Sequence, residues 1–143
     1  MDAAHELTGL AANFPPSEVR PLRHCGSAVR LGPDARTARR LCHVAALATA
    51  AAFAVPVGEL NASSRRSAYV AFARQSAMYL AHVAFGLSYS EVARAFGRDR
   101  TTAAYACQLI EHRRDDPAID ALLGSLEDAC CTLRRRLSAP VQI

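Results

Sequence analysis

The sequence predicts an all-α domain that contains a helix-turn-helix. Three observations lead there. Apolar residues recur at helical spacing along most of the chain, capping residues stand at the starts of those runs, and no segment alternates as a half-buried strand would. The chain has 143 residues, enough for one domain around one core.

Residues 1–33 read as a separate, flexible basic arm. Pro15, Pro16, Pro21, Gly26, Gly32 and Pro33 interrupt any long element, one short helix fits residues 3–12, and Arg20, Arg23 and Arg30 supply the charge. The domain is expected over residues 34–137, with a frayed tail at 138–143. Asp34 caps a first helix that continues to about Ala54. Apolar residues cover most of its circumference, so it should be buried on more than one side, and Pro56 and Gly58 should end it. Residues 61–64 read as a turn or cap. A second helix spans about 66–85, with Val70, Ala73, Ala77, Leu80, Ala81 and Ala84 on one face. Gly86 can close it in the left-handed conformation, and Leu87 can fold back on the last turn.

Ser88 and Glu91 then form a capping box. Val92, Ala93 and Phe96 give a short apolar face, Gly97 permits a tight turn, and Asp99 caps a helix over about 100–113. Asp116 and Pro117 start the last of five main helices. Its stripe of Ile119, Leu122, Leu123, Leu126, Cys130, Leu133 and Leu137 should pack into the domain's own core.

Residues 88–110 meet the demands of a helix-turn-helix: a short first helix, a tight turn, and a second helix with one free face. Ala103, Ala106 and Ile110 can face the core. Arg100, Thr101, Ala104, Tyr105 and Gln108 then point outward. Arginine can donate two bonds to guanine, threonine can bond a base or a phosphate, and alanine can touch a thymine methyl without crowding. The alternative is an ordinary pair of bundle helices with a solvated Arg100. Asp99 serves more naturally as a cap than as a base reader, since a carboxylate is repelled by DNA except where it accepts from cytosine.

Composition agrees with an anionic partner without proving one. The formal net charge is +4, and all 17 basic residues are arginine. Arginine's planar fork suits phosphates and guanine edges, although GC-rich coding would also replace lysine. The 5 cysteines, at 25, 42, 107, 130 and 131, lack the regular spacing of a disulfide framework and suit a reducing interior. The N-terminus has no secretion-signal pattern. The most apolar run, residues 41–57, is short, mostly alanine and broken by His43 and Pro56, so a buried helix is expected rather than a membrane span. Without lysine there can be no GxxxxGK[ST] phosphate loop, and no Ser-His-Asp signature or metal cluster emerges. No enzyme activity and no cofactor are expected, and a cytoplasmic place on the nucleoid is.

The stretch ARQSAMYLAHVAFGLSYSEVARAFGRDRTTAAYACQLIE, residues 73–111, resembles the C-terminal DNA-binding domain (domain IV) of the replication initiator DnaA. That family reads ARQ-x-AMYLA, then S-x-x-E-I, then AFGGRDHTTVLHAC-x-x-I. The upstream AAAFAVPVGELNASSRRS is similar to its first helix and connecting basic segment, so the likeness covers about residues 38–128. It implies a DnaA domain IV-like bundle that binds double-stranded DNA. By this resemblance Arg74 would enter the minor groove, and Arg98, Asp99, Arg100, Thr101 and Thr102 would serve the major groove. Arg65, Arg66, Arg94, Arg113 and Arg114 are phosphate candidates. Two departures stand out. One glycine of FGGRD is missing, and Arg100 and Ala104 replace the histidine and leucine that suit thymine methyls. The binding mode is expected to persist with a different preferred sequence.

A lone domain of this kind suggests a transcription regulator. The FGRDRTT form is similar to that of alphaproteobacterial activators of gene transfer agent clusters. The resemblance implies promoter binding, with RNA polymerase and a DNA-bending protein as partners. Two other readings stay open: a replication regulator that competes for initiator sites, and a protein-interaction module that has lost DNA binding.

Overall fold

Apart from one four-residue turn of helix, the helices begin where the sequence supplies a side-chain acceptor. The computed structural model describes residues 33–62 and 67–138. Among these it has α1 (Ala35–Phe53), α2 (Val57–Leu60), α3 (Ala68–Val83), α4 (Tyr89–Phe96), α5 (Arg100–Arg113) and α6 (Pro117–Ser138). Asp34 accepts from the Thr37 amide at 2.7 Å, Ser67 from Val70 at 3.2 Å, and Asp99 from Thr102 at 2.7 Å. The capping box of α4 is complete: Ser88 Oγ accepts from the Glu91 amide, and Glu91 Oε2 from the Ser88 amide. Asp116 accepts from the Ala118 amide at 2.9 Å as α6 begins. Each such bond satisfies an amide that the first turn of a helix leaves without a partner. The expected arm up to Leu31-Gly32 and the tail beyond Ser138 lie outside the described residues.

Helix α1 ends where expected, near Ala54, but by a different device. Pro56 and Gly58 do not stop it; Gly58 lies inside α2. Ala54 stops it by turning left-handed, at φ 53°, and the Val55 amide then donates back to the Ala50 carbonyl at 3.0 Å. Alanine pays roughly 1 kcal/mol for that conformation. The reversal swings Val55 onto the core, where it is buried, and burial of an apolar side chain offsets a cost of that size.

Helix α3 is the hub and packs against each of the other five. The face predicted for it is buried: Ala73, Ala77, Leu80, Ala81 and Ala84 have no exposed surface. Phe72, Met78, Tyr79 and Val83 are buried as well, so α3 is enclosed nearly all round. Small residues on α1, α3, α4 and α5 let the backbones come close, while Leu60, Met78, Leu80, Leu87, Val92, Ile110 and Leu123 fill the spaces between. Gly86 is left-handed at φ 68°, and Leu87 folds back to full burial, as expected.

The stripe on α6 packs only in part. Leu123 and Cys130 are buried and Ile119 and Leu126 half-buried, but Leu122 and Leu137 are exposed. The reason is length: α6 packs mainly on α3 and α1, and its far end runs past them. Cys42, Cys107 and Cys130 are free and buried, and burial pushes the Cys42 and Cys107 thiols up to about 12. No described helix is long and apolar enough to cross a membrane.

Candidate nucleic-acid interface

Helices α4 and α5 join through residues 97–99 and form the helix-turn-helix. Gly97 is left-handed, at φ 64°. The Arg98 amide donates to the Ala93 carbonyl at 2.8 Å and the Gly97 amide to Arg94 at 3.4 Å, so the last carbonyls of α4 are satisfied. A Cβ at position 97 would meet nothing within 4 Å, so the demand for glycine comes from the backbone angle and not from crowding. Asp99 then caps α5 at once. One glycine is enough for the turn.

The two faces of α5 divide as the sequence implies. Ala103, Ala106, Cys107 and Ile110 are buried against α3 and α4, and Ala93 lies inside the crossing. Arg100, Thr101, Thr102, Tyr105 and Gln108 are exposed, and Ala104 is half-buried. Tyr105 is 59% exposed. The Asp99 carboxylate, held by the Thr102 amide and then by the Thr102 side chain, titrates below its usual range. Its geometry is that of a cap.

Arg100 has a neighbour that motif reading missed. Its guanidinium lies 6.0 Å from the centre of the Tyr89 ring, and that ring stacks on His82 at 4.3 Å. His82 Nδ1 meets the Leu87 carbonyl at 2.6 Å. A carbonyl can only accept, so Nδ1 carries the proton and the imidazole is held in place. Tyr89 stands one residue after the Ser88 cap, which orients the ring across the start of α5. The signal was an aromatic at the first position of α4, but its partner was not visible without the crossing angle.

The other arginines sort differently from the expectation. Arg74 does not stand on the exposed face. It is buried, and Nε donates to the Leu60 carbonyl at 2.8 Å while Nη2 donates to Glu59 and Ala62 at 3.2 and 3.3 Å. In this structure its guanidinium holds these carbonyls and does not project from the surface as the minor-groove role implied by the resemblance would need. Burial, and then the nearby Arg98 charge, lower its pKa. Arg98 is half-buried and gives Nη2 to the same Ala62 carbonyl at 2.8 Å. Together Arg74 and Arg98 fix the chain just before Arg65 and Arg66, which lie outside the described residues.

Arg113 and Arg114, taken as phosphate candidates, are turned inward. Arg113 lies over the Phe72 ring at 5.2 Å. Arg114 donates to Asp120 at 2.6 Å, to the Tyr79 hydroxyl at 3.0 Å and to Glu127, while that hydroxyl donates to Glu111 at 2.6 Å. Burial alone would lower the Arg114 pKa, but the bonds to Glu127, Asp120 and Tyr79 raise it. This network ties α3, α5 and α6 and holds the Arg114 guanidinium inside the fold, 7% exposed.

Comparison with known proteins bears on the same region. Residues 46–110 match the family model described as the bacterial DnaA protein helix-turn-helix. The chain is similar to chromosomal replication initiator protein DnaA 2 of Chlamydia pneumoniae, 41% identical over 64 residues, which cover 45% of this chain and 14% of that protein. It is also similar to DnaA 2 of Chlamydia trachomatis serovar D, 38% identical over 81 residues, covering 57% of this chain and 17% of that protein. The chain thus spans less than a fifth of these relatives. A crystal structure of a DNA replication initiation factor aligns with a TM-score of 0.61 and 30% identity, over 68% of this chain and 30% of that one. Over residues 46–110 the chain is therefore similar to the bacterial DnaA helix-turn-helix family.

Proposed function

We propose that the chain binds double-stranded DNA in a sequence-specific way and regulates transcription, with α5 entering the major groove. The observation that carries this reading is the outward face of α5. Arg100, Thr101, Tyr105 and Gln108 stand exposed at the end of a rigid helix-turn-helix. Asp99 is occupied with its cap, so the first turn offers Arg100 for guanine and Thr101 for a phosphate or base. The short side chains at 101–104 let the backbone approach the duplex, and the helix N-terminus favours phosphate.

The finer reading is activation at promoters, with RNA polymerase and a DNA-bending protein as partners. It rests on the FGRDRTT form of the turn and on its likeness to activators of gene transfer agent clusters. Binding to duplex DNA, followed as salt is raised, tests the first step: phosphate-driven association should weaken steeply. No binding to any duplex at low salt would overturn the proposal and leave a protein-interaction module. Genome-wide occupancy tests the second step. Sites at promoters support regulation of transcription, while sites confined to a replication origin would favour competition for initiator sites instead.

A further inference from the structure

A groove lies on the flank of α4 that faces away from α5. It has a volume of about 350 Å³ and runs between α1 and the end of α4. Arg39 and His43 of α1, Asn61, and Arg94 of α4 line it, and Ala46 and Phe96 form an apolar floor. A narrower extension of about 90 Å³ continues between Arg39 and Arg94 toward Ala35. Arg39, His43 and Arg94 are all exposed. Among the described residues none of the three makes a hydrogen bond or an ion pair. The nearest acid, Glu91, borders the extension, but its carboxylate is held by the Ser88 amide in the capping box.

Position separates this groove from the face proposed for DNA. On α4, Tyr89 leans toward Arg100 of α5, whereas Glu91, Arg94 and Ala95 look toward α1. The groove borders the helix-turn-helix at the end of α4 and at Gly97. Its shape also differs from a phosphate track. It is concave, with an apolar floor below a cationic rim, and of a size that takes a few side chains. The matching ligand carries carboxylates beside small apolar groups.

We infer that this groove docks an acidic polypeptide segment of a partner protein while α5 is free to hold DNA. Carboxylates of the segment pair with Arg39 and Arg94, Asn61 bonds its backbone, and an apolar side chain rests on Ala46 and Phe96. The contact is electrostatic at the rim, so it associates fast and weakens with salt.

The test uses the full chain, isotopically labelled, titrated with two probes: a glutamate–leucine copolymer peptide and a DNA duplex. Amide shifts caused by the peptide should centre on Arg39, His43, Asn61 and residues 94–97. The double variant R39E/R94E should bind the peptide roughly tenfold more weakly, because two exposed pairs become repulsive, with an unchanged fold by circular dichroism. Both positions are exposed, so the fold should tolerate them. Peptide shifts spread over the other arginines, or unchanged affinity in the double variant, would overturn the assignment. So would duplex-induced shifts at the same residues together with displacement of the peptide by DNA, since the groove would then belong to the DNA footprint.

Discussion

Helix α5 carries arginine at both ends, and the two ends behave oppositely. At the start, Arg100 is exposed and lies 6.0 Å from the centre of the Tyr89 ring. At the end, Arg114 is 7% exposed and is bonded to Asp120, Glu127 and Tyr79. The difference follows from what surrounds each end. At the first turn of α5, the Asp99 cap and the Tyr89 ring are the neighbours among the described residues. The last turn runs into α3 and α6, which bring three oxygen-bearing side chains to one guanidinium. One end is built to hold the fold and the other is left available. Residue type alone does not distinguish them.

The comparison breaks first at the buried end. Arg114→Met removes the cation and leaves Glu111, Glu127 and Asp120 around Tyr79 without it. Losing one partner of a buried charged network costs about 3–5 kcal/mol. Chemical denaturation should show that loss, and an Arg114 variant within 1 kcal/mol of the parent would mean that the network is slack. Arg74→Ala comes next. It strands the Leu60 carbonyl and removes one donor from each of Glu59 and Ala62, whose carbonyls keep the Ala62 amide and Arg98, and should cost about 1–3 kcal/mol. Its effect on DNA should be indirect and alike on all sequences. A loss confined to sites with a narrow A·T minor groove would restore the reading in which Arg74 inserts there.

How much of this was legible in the sequence follows the same division. The helix-turn-helix was legible because its determinants are local: the Ser88–Glu91 box, Gly97, the Asp99 cap, and the spacing of Ala103, Ala106 and Ile110. The direction of each arginine was not. Arg74 and Arg114 look like any basic residue in a helical run until α2 and α6 are placed beside them. At the end of α1 the position is legible and the device is not, for a related reason. Pro56 and Gly58 are the strong local signals, yet burial of Val55 pulled the turn forward to Ala54. The groove between α1 and α4 joins Arg39 to Arg94, residues that no sequence window holds together.

Arg100→Ala should separate binding from stability. Stability should stay within about 0.5 kcal/mol, since the side chain is exposed. Affinity for the preferred site should fall by about 1–3 kcal/mol, with preference relaxed at one base pair. Selection of binding sites from random duplexes would show it. An unchanged preference would make Arg100 a phosphate contact, and the specificity would then have to come from Thr101, Tyr105 or Gln108.

Asp99 gives the smallest effect and the one most specific to the exposed end. Its folded pKa is depressed below 3.8 by the Thr102 bonds. The carboxylate's stabilisation is therefore fully present above the unfolded value and is lost as pH falls through the folded one. Asn at this position caps a helix nearly as well but does not titrate. Asp99→Asn should then unfold at nearly the parental temperature at neutral pH and lose less on acidification below about pH 4. Asp34 is depressed in the same way by its Thr37 bonds, so part of the acid sensitivity should remain in the single variant. Thermal unfolding across pH 2–7 would resolve the two contributions if Asp34→Asn is measured beside it. Identical acid limbs in parent and Asp99→Asn would show that the cap does not hold α5 in solution. The first turn carrying Arg100 would then be frayed, and a reading face that depends on its rigidity would lose its support.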